Sequence, residues 1–198
     1  MRIAMFGGSF DPIHNGHISL AHAFTDKLKL NKVLIIPSYI PPHKLRHSAV
    51  TPQQKLDMCR LAFENETKYE VSDIEIKRRG ASYTYMTLEE LSDIYKGDKL
   101  FLITGADMFM TIHEWKKPEM IFSLATVCGV PRNNDDIDSL KKRADYLQTL
   151  GAETEILDAG IMTVSSTEIR NKIKNNEPLT GLVPLSVERY IIENELYK

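Results

Sequence analysis

The chain has 198 residues, 42% hydrophobic and 26% charged, enough for one domain with its own core and too few for two of full size. That balance excludes collagen-like, disordered and disulfide-stapled chains. Lys and Arg number 25 against 27 Asp and Glu, and the resulting formal charge of −2 argues against a long polyanionic partner while leaving room for a small anion held locally.

Residues 2–6 (RIAMF) read as a strand, and residues 16–28 as a helix with Ile18, Ala21 and Leu28 on its buried face. Residues 32–37 (KVLIIP) form a second strand. A helix over 51–64 has a marked start, with Thr51 as N-cap, Pro52 at the first helical position and Gln54 at the capping-box position. Residues 71–77 alternate apolar and polar, as a half-buried strand does. Residues 83–95 are helical, with Gly97 as a stop. Residues 99–104 (KLFLIT) are a buried strand. A short helix near 118–123 leads to a strand over 125–130. A helix over 136–150 ends near Gly151, and 153–157 is strand-like. Helices over 166–175 and 184–195 follow, the last with Val187, Tyr190, Ile191 and Ile192 assigned to the core. Residues 38–50 and 131–135 read as loops.

Strands alternating with helices predict one α/β domain over 1–198, an open parallel sheet with helices on both faces and helices at the C-terminal end. Ligands of such sheets bind beyond the carboxyl ends of the strands. Cys59 and Cys128 have neither CxxC spacing nor a histidine cluster, so free buried thiols in a reducing compartment are expected, and no metal site. No signal peptide and no run of 18 uncharged apolar residues is present, which predicts a cytoplasmic protein that does not span a membrane.

The loop after the first strand reads GGSFDPIHNGH over residues 7–17. Gly7 and Gly8 are expected to let the backbone turn tightly and a ligand approach; Ser9 and Phe10 follow them. Gly16 stands at the helix start, where free N–H groups and the helix dipole favour an anion. His14 and His17 flank that start. The segment is neither GxxxxGK[ST] nor GxGxxG, so a phosphate here meets imidazoles instead of a lysine. As structure alone it is a turn with two incidental histidines. Paired glycines, Phe10, Pro12 and an HxGH ending at one strand–helix junction favour a site.

Residues 164–170 read VSSTEIR. Ser165 and Glu168 fit a capping box, which alone explains the segment. A helix start with hydroxyls and an arginine one turn inside is also an anion site, and Ser165, Ser166 and Arg170 are its candidates. In the middle of the chain, His43, Lys44, Arg46 and His47 form a basic cluster after PSYIPP, either a solvated loop or an arm that closes on polyphosphate through Lys44. Thr84, in SYTYMT, could cap the helix it begins. Gly105 and Asp107, in TGADMFMTIHEW, follow a strand. Asp107 could accept a ribose hydroxyl bond or cap the next helix. Trp115, the single tryptophan, is either core or a platform for a flat ring.

GGSFDPIHNGH resembles the signature of the HxGH nucleotidyltransferase superfamily, which transfers a nucleotidyl group from ATP or CTP on a Rossmann-like fold. Taken in order, GGSFDPIHNGH, PSYIPPHK, SYTYMT, TGAD with Trp115, and VSSTEIR resemble the bacterial nicotinate mononucleotide adenylyltransferase family over nearly the whole chain. The resemblance implies that His14 and His17 contact the triphosphate and stabilise the transition state. It places Ser165, Ser166 and Arg170 at the β- and γ-phosphates, with Val164 where relatives carry isoleucine. Gly7, Gly8, Ser9, Phe10, Gly16 and Lys44 complete the ATP site, Gly105 and Asp107 lie near the adenosine, and Thr84 and Trp115 lie at the pyridine nucleotide. Many relatives follow the tryptophan with a second aromatic; here Lys116 stands there, favouring an acid by charge or facing solvent.

The implied partners are ATP, carrying Mg2+, and nicotinate mononucleotide, with no nucleic-acid polymer; a homo-oligomer stays open. Competing expectations are an enzyme that prefers the nicotinamide nucleotide, a phosphopantetheine adenylyltransferase or a cytidylyltransferase. A non-catalytic ATP-binding domain is a further alternative, although it would need neither both histidines nor Arg170.

Overall fold

The structure, a computed structural model, describes residues 1–42, 50–131, 137–158 and 162–198. Among these residues the sheet has six strands: β1 (Arg2–Gly8), β2 (Lys32–Pro37), β3 (Tyr69–Val71), β4 (Lys99–Ile103), β5 (Thr126–Gly129) and β6 (Thr154–Ile156). Their order is β3-β2-β1-β4-β5-β6 and every pairing is parallel. The chain winds outward from β1 to β3, returns to the centre at β4, and winds outward the other way. Beyond the carboxyl ends of β1 and β4 the connections diverge and leave a crevice.

Apolar runs fill the central strands because both faces of the sheet are covered. β1 sends Ile3 and Met5 to one face and Ala4 and Phe6 to the other, and all four are buried. On the Ala4 and Phe6 side pack α1 (Asn15–Leu28), α2 (Pro52–Ala62), α8 (Ser166–Lys174) and α9 (Leu185–Glu193), through Phe24, Met58, Ile169 and Val187. On the Ile3 and Met5 side pack α4 (Thr84–Ile94), α5 (Ala106–Thr111), α6 (Pro118–Leu124) and α7 (Ile137–Thr149), through Leu88, Phe109, Ile121 and Leu140. No helix among the described residues is long and apolar enough to cross a membrane.

The predicted start of α2 is present in full. Thr51 Oγ1 accepts from the Gln54 N–H at 3.2 Å, and the Gln54 side chain accepts from the Thr51 N–H at 2.8 Å. Cys59 and Cys128 are free and buried. The Ser165 box is half formed: its hydroxyl accepts from the Glu168 N–H at 3.1 Å, with no reciprocal bond. Thr84 does not cap α4; it is the first helical residue, and Tyr83 is the N-cap without a side-chain bond.

Residues 71–77 are not a strand. β3 stops at Val71, and α3 (Ile74–Arg78) follows, with the Lys77 N–H bonded to the Asp73 carbonyl and the two side chains paired at 3.0 Å. Seven residues are too few to separate a period of 2 from one of 3.6. The consequence is an inversion: Glu75, on the solvent side of the expected strand, is buried. In α9, Val187 and Ile191 are buried as expected and Tyr190 is half-buried, but Ile192 is 62% exposed, one position round from the core-facing stripe. α5 and the 3-10 turn Ile112–Glu114 have no counterpart in the sequence expectation.

One close contact sets the thickness of this layer. A Cβ at Gly129 would lie 2.5 Å from the ring of fully buried Phe109. Gly129→Ala is therefore expected to destabilise the fold by about 1–3 kcal/mol, read as a lower urea midpoint at unchanged slope.

Candidate active site

The strand–helix junction after β1 differs locally from its expectation. Gly7 and Gly8 are the last residues of the strand, paired with Ile36 and Pro37, so neither makes the turn. Gly8 has no room for a side chain, since a Cβ there would meet the Phe10 ring at 2.9 Å. The turn is made by Phe10, with a left-handed φ of 43°, and by the cis Asp11–Pro12 bond. Phe10 buries its ring edge-on against Phe6 and His17.

His14 and His17 cap α1 reciprocally. The His17 N–H donates to His14 Nδ1 and the His14 N–H donates to His17 Nδ1, each at 3.3 Å. Acceptance at Nδ1 puts the ring proton of each neutral imidazole on Nε2. The rings stack, centroids 3.6 Å apart and 21° from parallel. Burial lowers the pKa of His14 to about 4. Its imidazole is therefore neutral at pH 7 and serves as a hydrogen-bond donor.

α8 brings the second motif against the first. Ser166 Oγ donates to the Pro12 carbonyl at 3.0 Å, and Arg170 Nη1 donates to the Asp11 carbonyl at 2.6 Å. Gly16 is the point of closest approach: a Cβ there would sit 2.8 Å from the Met162 carbonyl oxygen. Its lack of a side chain lets residues 162–165 cross the start of α1.

A cleft opens between these elements in two lobes. The first, of about 580 Å³, is lined by residues that include Gly7, Gly8, Ser9 and Phe10 on one side and Thr84, Trp115 and Lys116 on the other. The second, of about 600 Å³, is lined by residues that include His14, Gly16, Met162 and Ser165. His17, Gly105, Asp107 and Ser166 line both. Candidates from four separate segments of the sequence thus converge. Asp107 lies in the first turn of α5, whose N-cap is Gly105, so it does not cap that helix. Arg170 stands outside the lining of either lobe. Lys44, with His43, Arg46 and His47, lies outside the described residues.

The first lobe also has polar components that the sequence analysis did not single out. Glu75 lines it, accepting from Thr87 Oγ1 at 2.7 Å; Arg78 donates to Thr87 at 2.8 Å and to Glu90 at 2.7 Å. Burial raises the Glu75 pKa against the opposing pull of Ser82, Thr87, Arg78 and Lys55. The buried Lys55 ammonium donates to the Ser38 carbonyl. Ser38 Oγ is buried in the same wall, with no hydrogen-bond partner among the described residues. Tyr39 N–H donates to Ser82 Oγ at 2.9 Å, which fastens the loop after β2 beside Thr84. Lys116 sits with its ammonium 4.5 Å from the centre of the Tyr83 ring. Glu75 was hidden by the strand expectation over 71–77; nothing in the local sequence marks Lys55 or Ser38.

The sequence profile of the cytidylyltransferase-like family matches residues 5–172. A probable nicotinate-nucleotide adenylyltransferase of Clostridium tetani is 37% identical over 98% of this chain and 98% of its own. One from Borrelia garinii is 39% identical over 100% of this chain and 95% of its own. The chain belongs to the nicotinate-nucleotide adenylyltransferase family. The fold agrees: the Plasmodium falciparum nicotinic acid mononucleotide adenylyltransferase complexed with NaAD superposes with a TM-score of 0.79 at 18% identity, over 99% of this chain and 97% of that one. Members of this family are nucleotidyltransferase enzymes, and the sequence resemblance and the Rossmann-like fold expected from it are both borne out.

The His14 environment gives a prediction with a definite sign. The unfolded chain takes up a proton near pH 6.5, whereas folded His14 does so only near 4. Between those values the unfolded state binds more protons, so stability falls as pH drops through that window, by up to about 3 kcal/mol. Denaturant titrations from pH 7.5 to 4 should show this loss. A His14→Asn variant, which keeps an N-cap acceptor, should lose its share of it.

Proposed function

We propose that this chain transfers the adenylyl group of ATP to nicotinate mononucleotide, giving nicotinate adenine dinucleotide and pyrophosphate. The observation that carries the proposal is His17, stacked on His14, on the wall shared by the two lobes. One lobe offers Trp115 and Thr84 to a pyridine nucleotide. The other offers the hydroxyls and free N–H groups at the start of α8 to a polyphosphate.

In this reading a phosphate oxygen of nicotinate mononucleotide forms a bond to the α-phosphorus of ATP in line with the α–β bridging oxygen, whose bond to that phosphorus breaks. Pyrophosphate leaves with the electron pair. The attacking phosphate is largely ionised at neutral pH, its second pKa being about 6, so no general base is required. The work left to the protein is alignment and charge stabilisation. His14 and His17 donate from Nε2 to the oxygens on which charge grows. Gly7, Gly8, Ser9, Phe10 and Gly16 let the phosphates lie close to the backbone, and Gly105 and Asp107 hold the adenosine. Ser165 and Ser166 hold the leaving pyrophosphate, with Arg170 one turn further along α8; Lys44, outside the described residues, is assigned to the same polyphosphate from the sequence alone.

Mg2+ bound with ATP supplies further neutralisation of the triphosphate. Among the described residues no three potential metal-ligating side chains gather, a donor set that suits a cation held mainly by nucleotide oxygens. Lys116 adds a positive charge to the pyridine lobe, and the charge of Glu75 there is offset by Arg78 and Lys55. Lys116 is the feature of this lobe that favours an acid over an amide acceptor, with Asp107 on the same lining.

The test is pyrophosphate release with Mg-ATP and either nicotinate or nicotinamide mononucleotide. Fast release with the acid alone is expected; an amide preference would overturn the acceptor, and silence with both would overturn the reaction. His17→Ala should lower kcat about 100- to 1,000-fold while the KM for ATP moves only a few-fold. Near-normal turnover in that variant would remove the role given to the pair.

A further inference from the structure

Asp11 is held at two of its own atoms by parts of the chain far away in sequence. Tyr197, in the segment after α9, donates its hydroxyl to Asp11 Oδ1 at 2.9 Å across a sequence separation of 186. Arg170 Nη1 donates to the Asp11 carbonyl across a separation of 159. The next carbonyl, that of Pro12, accepts from Ser166 Oγ across a separation of 154. Two residues further on comes His14, the N-cap of α1. The start of α1 is held from the same side, since the Asn15 N–H and its Nδ2 donate to the carbonyls of Leu182 and Gly181, each at 2.9 Å.

Tyr197 is an unusual fastener. After α9 the chain folds back, with the Leu196 N–H on the Ile191 carbonyl, and both Leu196 and Tyr197 are buried. Tyr197 takes a left-handed φ of 67°, costly for a bulky residue and kept only where the surroundings impose it. Burial and the neighbouring Asp11 push its phenol well above the usual range, so the hydroxyl keeps its proton and remains the donor. A core tyrosine needs only some partner for its hydroxyl. This one reaches the six-residue connection, Ser9 to His14, that sets the histidine pair.

We infer that Tyr197 is a positioning residue for adenylyl transfer: it anchors Asp11 so that the stacked His14–His17 pair stays aligned with the reacting phosphate. The inference rests on the role proposed above for the two histidines. Transition-state donors must be held in place before reaction, so a loosened anchor costs turnover more than binding.

Tyr197→Phe removes one oxygen and keeps the ring in the core. Per folded molecule, kcat should fall about tenfold, the scale of one lost hydrogen bond to a charged group, with the KM for both substrates within about twofold. The 15N resonances of the His14 and His17 rings should shift in the same variant. Asp11→Ala combined with Tyr197→Phe should lower kcat no further than Asp11→Ala alone, because both substitutions break one link. Unchanged kcat per folded molecule, unshifted imidazole resonances or strictly additive losses would each overturn the inference and leave Tyr197 as core packing. His17→Ala, run alongside, separates the two levels: normal turnover there defeats the histidine assignment itself, whereas a large loss there with normal Tyr197→Phe turnover defeats only the anchor.

Discussion

β1 is hydrogen-bonded to strands on both edges and covered by helices on both faces, and this confinement decides where the chemistry can sit. A strand so enclosed meets solvent only where it ends. Its carboxyl end is also where the strand order reverses, so β1 and β4 deliver their following loops to one crevice. Gly7 and Gly8 at the end of β1, and Gly105 and Asp107 just after β4, are neighbours for that reason alone.

The first loop is short, and much of its hold comes from outside itself. Its carbonyls at Asp11 and Pro12 are taken by α8, its Asp11 carboxylate by Tyr197, and its glycine at position 16 by the crossing of residues 162–165. The two histidines then hold one another, each imidazole accepting from the other's backbone. This fixes the ring tautomer and stacks the rings without any acidic residue in the first turn of α1. Burial of His14 disfavours its positive charge, which is why its pKa is lowered.

The two lobes differ in what lines them. The lobe around His14 and Ser165 is built from a helix start and hydroxyls, features that read phosphate and little else. The lobe around Trp115 and Thr84 has a polar floor of Glu75, Thr87 and Arg78 beneath it, with the buried Ser38 hydroxyl in its wall. The alignment with the Clostridium tetani relative spans 98% of the chain.

Local chemistry alone was enough for much of this. The capping pair Thr51 and Gln54, the strands buried on both faces, and the glycine- and histidine-rich junction at 7–17 are legible because each is fixed by residues close in sequence. Where a segment was too short to show its period, as at 71–77, the reading failed and took Glu75 with it. Only the tertiary structure decided the rest: that Arg170 and Ser166 grip the first loop, that Tyr197 reaches Asp11, and that Gly16 and Gly129 are glycines because a carbonyl and a ring pass within van der Waals reach. Those are contacts between residues that no local pattern couples, and they exist only once the fold has brought separate segments together.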